Sequence, residues 1–258
     1  MPNPFIRLAA ASAVATALQF VPSLQARAAE IAGLALESLK PSLELLVPDF
    51  ERTTGHKVRF GFGNSSTLPR RFEAGEPFDV AFASALLIDR YIKEGKISGG
   101  TRTDVTRVAI GMGVRKGAPR PDISTAAAFK RALLNAKSIS HASEGPSGIY
   151  LQNLLKRLDI VAQVQPKLRP VSGGPLVMGP VAKGDVELGI ITVPFIVLDP
   201  GADLVGALPD ELQDYVVYAS GISATTTASD AANALVRHVT SPGAASVFKS
   251  HGLELIAR

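Results

Sequence analysis

From Ile31 to Val239 the chain alternates short apolar or period-two runs with amphipathic runs of helical period, the pattern of an α/β protein. Ile31–Leu36 reads as a first strand. Pro41 then opens a helix whose Leu43, Leu46, Val47 and Phe50 fall at i, i+3, i+4 and i+7. Pro48 is expected to end or kink that helix. Further strands are expected at 56–62, 78–83, 106–114, 138–141, 188–191 and 215–220. Helices are expected at 67–74, 85–94 and 124–134, around Leu151, Leu154, Leu155 and Leu158, and through Lys183. Ser229 is expected to cap a last one carrying Ala232, Leu235, Val236 and Val239 on one face.

The junctions from strand to helix share a composition. They read Glu37-Ser38, Gly63-Asn64-Ser65-Ser66-Thr67, Gly145-Pro146-Ser147-Gly148 and Ser172-Gly173-Gly174. Ser, Thr and Asn oxygens cap helices by accepting from unpaired backbone N–H groups, and Gly and Ser are ordinary turn residues. The same loops also make anion sites, because the first amides of a helix are free and its dipole is positive there. In open α/β sheets such loops gather outside the carboxyl ends of the strands. Several of them converging would bind a fully ionised tetrahedral oxyanion through neutral donors alone.

Composition narrows the remaining classes. Arg7, an apolar run from Leu8 to Leu18 and the small-x-small triplet Ala26-Arg27-Ala28 read as a signal peptide over residues 1–28, leaving a mature chain of 230 residues from Ala29. Net charge is +4, and +2 once Arg7 and Arg27 are removed. Scattered Lys and Arg, four Tyr and no Trp give no footprint for nucleic acid. The absence of cysteine excludes thiol catalysis and Cys-type zinc sites and suits export. No His/carboxylate set has metal-ligand spacing, so neither a side-chain metal site nor a cofactor is expected.

Gly145-Pro146-Ser147-Gly148-Ile149 approaches the G-x-S-x-G nucleophile elbow but ends in Ile149. His141, the nearest candidate base, ends a strand and is expected to pack beside the loop. A serine hydrolase is therefore a remote alternative, and the chain is read as a binding protein, not an enzyme.

The segments ALESLKPSLELLVPDFE (35–51), FGNSSTLPRRFEAGEPFDVAFA (62–83), GPSGIYLQNLLKRL (145–158), AKGDVELGII (182–191) and TSPGAASVFKSHGLE (240–254) together resemble the periplasmic molybdate-binding proteins over essentially the whole mature chain. The resemblance implies a two-lobed type II periplasmic binding fold with two crossover strands and a ligand cleft between the lobes. Lobe 1 would be residues 29–110 plus 217–258, with lobe 2 at 111–216. It also implies a monomer in the periplasm that carries a small anion, molybdate or tungstate, to an ABC permease of the inner membrane.

Ligand contacts carry over to Ser38, to Asn64 where the family has serine, to neighbouring Ser65, to Ser147, to the backbone at Gly174, and to Thr192 where the family often has tyrosine. Asn64 would still donate through its backbone N–H and side-chain NH2. Thr192 leaves room that a small anion would not fill, and the alternative is the same transport role for a different, organic, anion. Arg59, Arg70 and Arg71 would then be candidate partners for a carboxylate.

Overall fold

The computed structural model describes residues 28–256. The segment read as a signal peptide lies outside the described residues except for its last position, Ala28. Two mixed sheets organise the fold. The first contains β1 (Glu30–Leu36), β2 (Lys57–Gly63), β3 (Val80–Ser84), β4 (Thr103–Val108), β10 (Val216–Ile222) and β11 (Glu254–Leu255), in the spatial order β11-β4-β10-β3-β1-β2. The second contains β5 (Ile110–Arg115), β6 (Ile139–Ala142), β7 (Leu168–Val171), β8 (Leu188–Thr192) and β9 (Ala202–Ala207), ordered β7-β6-β8-β5-β9.

Each sheet has a parallel part and an inserted antiparallel strand. β1 runs parallel to β2 and β3, whereas β10 is antiparallel to β3 and β4. In the second sheet β6 is parallel to β7 and β8, whereas β5 is antiparallel to β8 and β9. The chain leaves the first sheet at Ala109 and returns to it in β10, giving the two-lobed type II arrangement with two crossovers. The expected single strand at 106–114 is thus two strands of different sheets, broken at Ala109. Period-two patterning cannot see that break, because the apolar run continues through it.

The helices fill the connections. In the first half these are α1 (Lys40–Thr54), α2 (Thr67–Glu73) and α3 (Ala85–Lys93). The second sheet carries α4 (Ala126–Asn135), α5 (Pro146–Arg157), α6 (Val161–Val164), α7 (Met178–Lys183) and α8 (Val193–Val197). The chain returns through α9 (Ser229–Val239) and α10 (Ala245–Ser250), which pack on α1. Central strands are covered on both faces and read accordingly: Val80, Ala81, Phe82 and Ala83 of β3 are wholly buried. Burying one such Phe or Val contributes about 1.5–3 kcal/mol before entropy is counted.

Pro48 does not end α1, which continues six residues further to Thr54. It lies on the exposed face, so the carbonyl deprived of its helical donor faces water. Ser229 does not cap α9 either; it is the first helical residue, and Ala228 holds the cap position.

Candidate functional site

All four Gly/Ser/Asn junctions fall at the carboxyl ends of parallel strands, and they face one another across the gap between the sheets. Ser38, Asn64, Ser65, Ser147, Gly174 and Thr192 all line a single cleft of about 340 Å³. Ser38 lies in a single 3-10 turn after β1, and Asn64 and Ser65 follow β2. Ser147 is in the first turn of α5, Gly174 begins a 3-10 turn after β7, and Thr192 ends β8. Ser38, Ser147 and Thr192 are buried, at 1%, 8% and 4% exposure.

The Asn64 loop is both a cap and a wall of the cleft. Its Oδ1 accepts from the backbone amides of Ser66 (2.9 Å) and Thr67 (3.0 Å), shaping the entry to α2. Its own backbone N–H donates to Thr67 Oγ1 at 2.9 Å. The expectation that this amide is free for a ligand is therefore corrected: the turn consumes it, leaving the side-chain NH2. In α5 the amides of Ser147 and Gly148 precede Ile149, the first to donate within the helix, and Gly145 offers no side-chain cap.

Two glycines bring the lobes into contact. Gly145 and Gly173 sit at φ 81° and 90°, where side chains are strained. A Cβ on Gly145 would lie 2.8 Å from Ser65 Cβ, and one on Gly173 would lie 2.9 Å from Asn64 Cγ, each across the cleft. Ser66 Oγ also approaches Ser172 Oγ to 3.3 Å. Glu144, whose charge beside an anion loop would be repulsive, accepts from Ser172 Oγ at 2.8 Å and does not line the cleft.

The rest of the lining is mostly apolar and was not anticipated. Leu36, Leu86, Pro146, Ile149, Ile191 and Phe195 form walls, with Leu86 and Ile149 exposed at the rim. Glu37 is the one carboxylate among the described lining residues and Arg90 the one cation. Arg90 is half-exposed and paired with Glu73 and Glu94. Arg59 pairs with Glu30, and Arg71 holds Glu76 and the Phe62 carbonyl; neither they nor Arg70 lines the cleft. Sequence offers no signal for which arginine reaches the cleft, because helix periodicity fixes a face but not the neighbouring lobe.

Tyr218 is the other unanticipated member. It comes from β10, is 4% exposed and lines the cleft beside Ser38 and Thr192. Burial raises its pKa, so the phenol stays protonated at neutral pH. Space that the sequence leaves open at Thr192 is thus bordered by a tyrosine from another strand.

The hydrolase arrangement is not assembled. His141 Nδ1 donates to the Ala142 carbonyl at 2.8 Å, and no hydrogen bond joins His141 to Ser147 among the described residues. Among the described residues no group of three or more His, Asp or Glu could hold a metal ion, and no helix is long and apolar enough to cross a membrane.

The fold and this cleft can be set beside known proteins. Residues 34–254 match the model of the bacterial extracellular solute-binding protein family. The chain belongs to that family. An aconitate isomerase from a Pseudomonas species is 31% identical over 215 residues, covering 81% of each chain. The molybdate-binding protein ModA of Escherichia coli K12 is 24% identical over 235 residues, covering 88% of this chain and 89% of its own. Among solved structures, the sulfate-binding protein SubI of Mycobacterium tuberculosis superposes with a TM-score of 0.74 at 18% identity, covering 88% of this chain and 87% of its own. This solute-binding family member therefore shares its fold with a sulfate-binding protein, and sequence with a molybdate-binding protein and an aconitate isomerase.

Proposed function

We propose that this family member is a periplasmic receptor for a small organic anion, held by neutral donors between two closing lobes and delivered to an ABC permease. The lobes are taken as residues 29–110 plus 217–258 and 111–216. The carboxylate would sit among Ser38, Asn64 NH2, Ser65, Ser147 and the Gly174 amide. The single observation that carries the organic reading is the size and lining of the cleft. A tetrahedral oxyanion of five heavy atoms displaces only about two or three water volumes, under about 100 Å³. A cleft of about 340 Å³ with apolar walls falls instead in the range of organic-ligand pockets, roughly 300–1,000 Å³. The loss of free amides in the Asn64 loop points the same way, since a bare dianion needs donors on every side.

A panel of small mono-, di- and tricarboxylates, molybdate, tungstate and sulfate, read by thermal shift, tests this. A ligand at about 100 times its Kd adds roughly 2.7 kcal/mol of stability, several degrees for a chain of this size. Stabilisation by a carboxylate supports the reading; stabilisation by molybdate and tungstate alone returns the chain to the oxyanion receptors that it resembles.

A second reading places catalysis in the same cleft, and the 31% identity to an aconitate isomerase favours it. Glu37, half-buried in the lining, would be the proton-transfer group acting on a bound unsaturated acid. Incubation with aconitate, following interconversion of its isomers, separates the readings. Turnover that disappears in Glu37→Gln favours the enzyme, and binding without turnover favours the receptor.

A further inference from the structure

The closed end of the cleft holds more hydroxyl groups than it has partners for. Tyr218 sits on β10 directly opposite Ser84 of β3 on one side and Thr106 of β4 on the other. Residues directly opposite in an antiparallel pair share a face, so Ser84, Tyr218 and Thr106 form a row across the first sheet. The register with β4 shifts between Tyr218 and Ala219, the irregularity by which a strand re-aims one side chain. Ser38 of the first lobe and Thr192 of the second flank the phenol.

Most buried polar groups are hydrogen-bonded, and a buried phenol usually finds a partner. Here Thr192 Oγ1 is buried without one. Thr192 is 4% exposed and lines the cleft. An acceptor from outside would complete the group, and an anion is the ligand class that brings several.

We infer that Tyr218 is a ligand-binding and specificity-determining residue: its hydroxyl, with that of Thr192, donates to the anionic group of the bound solute. This rests on the anion reading of the cleft. Because Tyr218 stands in the first sheet and Thr192 in the second, a ligand held by both is held from both lobes at once. Such a contact exists only in the closed form and so selects it.

The test uses Tyr218→Phe, which keeps the ring packed and removes only the oxygen, in the purified protein. The titrant is the panel member that most stabilises the wild type. A lost hydrogen bond to a charged group predicts affinity about 10- to 100-fold weaker, with the midpoint of the unliganded protein unchanged. Affinity equal to wild type overturns the inference and leaves Tyr218 a packing residue. Should no panel member bind the wild type, the anion reading itself fails, which is a distinguishable result.

A second measurement does not depend on the variant folding. The chain has no Trp and four Tyr, so its near-ultraviolet spectrum is that of tyrosine. Ligand should perturb the tyrosine bands of the wild type. A flat difference spectrum at saturating ligand overturns the inference.

Discussion

The hydroxyl oxygens of Ser66 and Ser172 lie 3.3 Å apart, one on each side of the cleft. Each hydroxyl has one proton, and the geometry offers more acceptors than protons. Ser172 also reaches Glu144 at 2.8 Å and Ser66 also reaches Asn64 Oδ1 at 2.8 Å. The carboxylate is the strongest acceptor present, so Ser172 gives its proton to Glu144. Ser66 gives its own to Asn64 Oδ1 at 2.8 Å, alongside the two backbone N–H groups received there. The two hydroxyls, each donating to an acceptor of its own lobe, meet as a latch across the mouth of the cleft.

Removing the latch should weaken binding without unfolding either lobe. Ser172→Ala removes the hydrogen bond to Glu144 together with the polar contact across the cleft, and the latter contributes about 0.5 kcal/mol, which is roughly 2-fold in affinity. The change should appear in the dissociation rate, measured by stopped-flow displacement, because the latch forms only after closure. An unchanged dissociation rate would mean that the two serines merely share a surface.

Gly145→Ala should damage binding more than stability. The residue sits at φ 81°, so alanine there costs on the order of 1–3 kcal/mol of strain. Its Cβ would also meet Ser65 across the cleft at 2.8 Å, which obstructs closure itself. The expected result is a midpoint lowered by several degrees together with at least a tenfold loss of affinity. Small-angle scattering with saturating ligand should show no compaction in the variant.

Stability should fall on mild acidification because of His141. Burial lowers its pKa, with the Ala142 carbonyl partly opposing. The unfolded state therefore takes up a proton at pH values where the folded state does not. The neutral ring contributes fully above the unfolded value of about 6.5, and stability declines as pH drops below it until the folded pKa is passed. His141→Gln should flatten the midpoint between pH 7 and 5. The carboxylates of Glu76 and Glu254, held low chiefly by hydrogen bonds from Arg71 and Arg107, act in a separate window below their ordinary value of 4.5.

Much of the fold was readable because it follows from period and punctuation. The apolar stripe Leu151, Leu154, Leu155 and Leu158 after Pro146 could be little else than a helix packed on a sheet. β7 and β9 carry no such signal: Leu168–Val171 holds Arg169 and Pro170, and Ala202–Ala207 is half-exposed along almost its whole length. Both are edge strands, where burial imposes little pattern. The junction loops announced themselves through Gly, Ser and Asn, and the six residues singled out there do share one cleft. Tyr218, Phe195 and Arg90 were invisible because each reaches the cleft from an element whose pattern records only its own core. For Tyr218 the register shift against β4 is a tertiary fact with no local signature.

The central claim is that the cleft takes an organic anion through neutral donors, and competitive isothermal titration tests it most directly. The purified protein is titrated with the carboxylate that stabilises it most, first alone and then in millimolar molybdate. One site per chain, with an affinity that molybdate leaves unchanged, is the predicted result. Stoichiometric molybdate binding that no carboxylate displaces would contradict it.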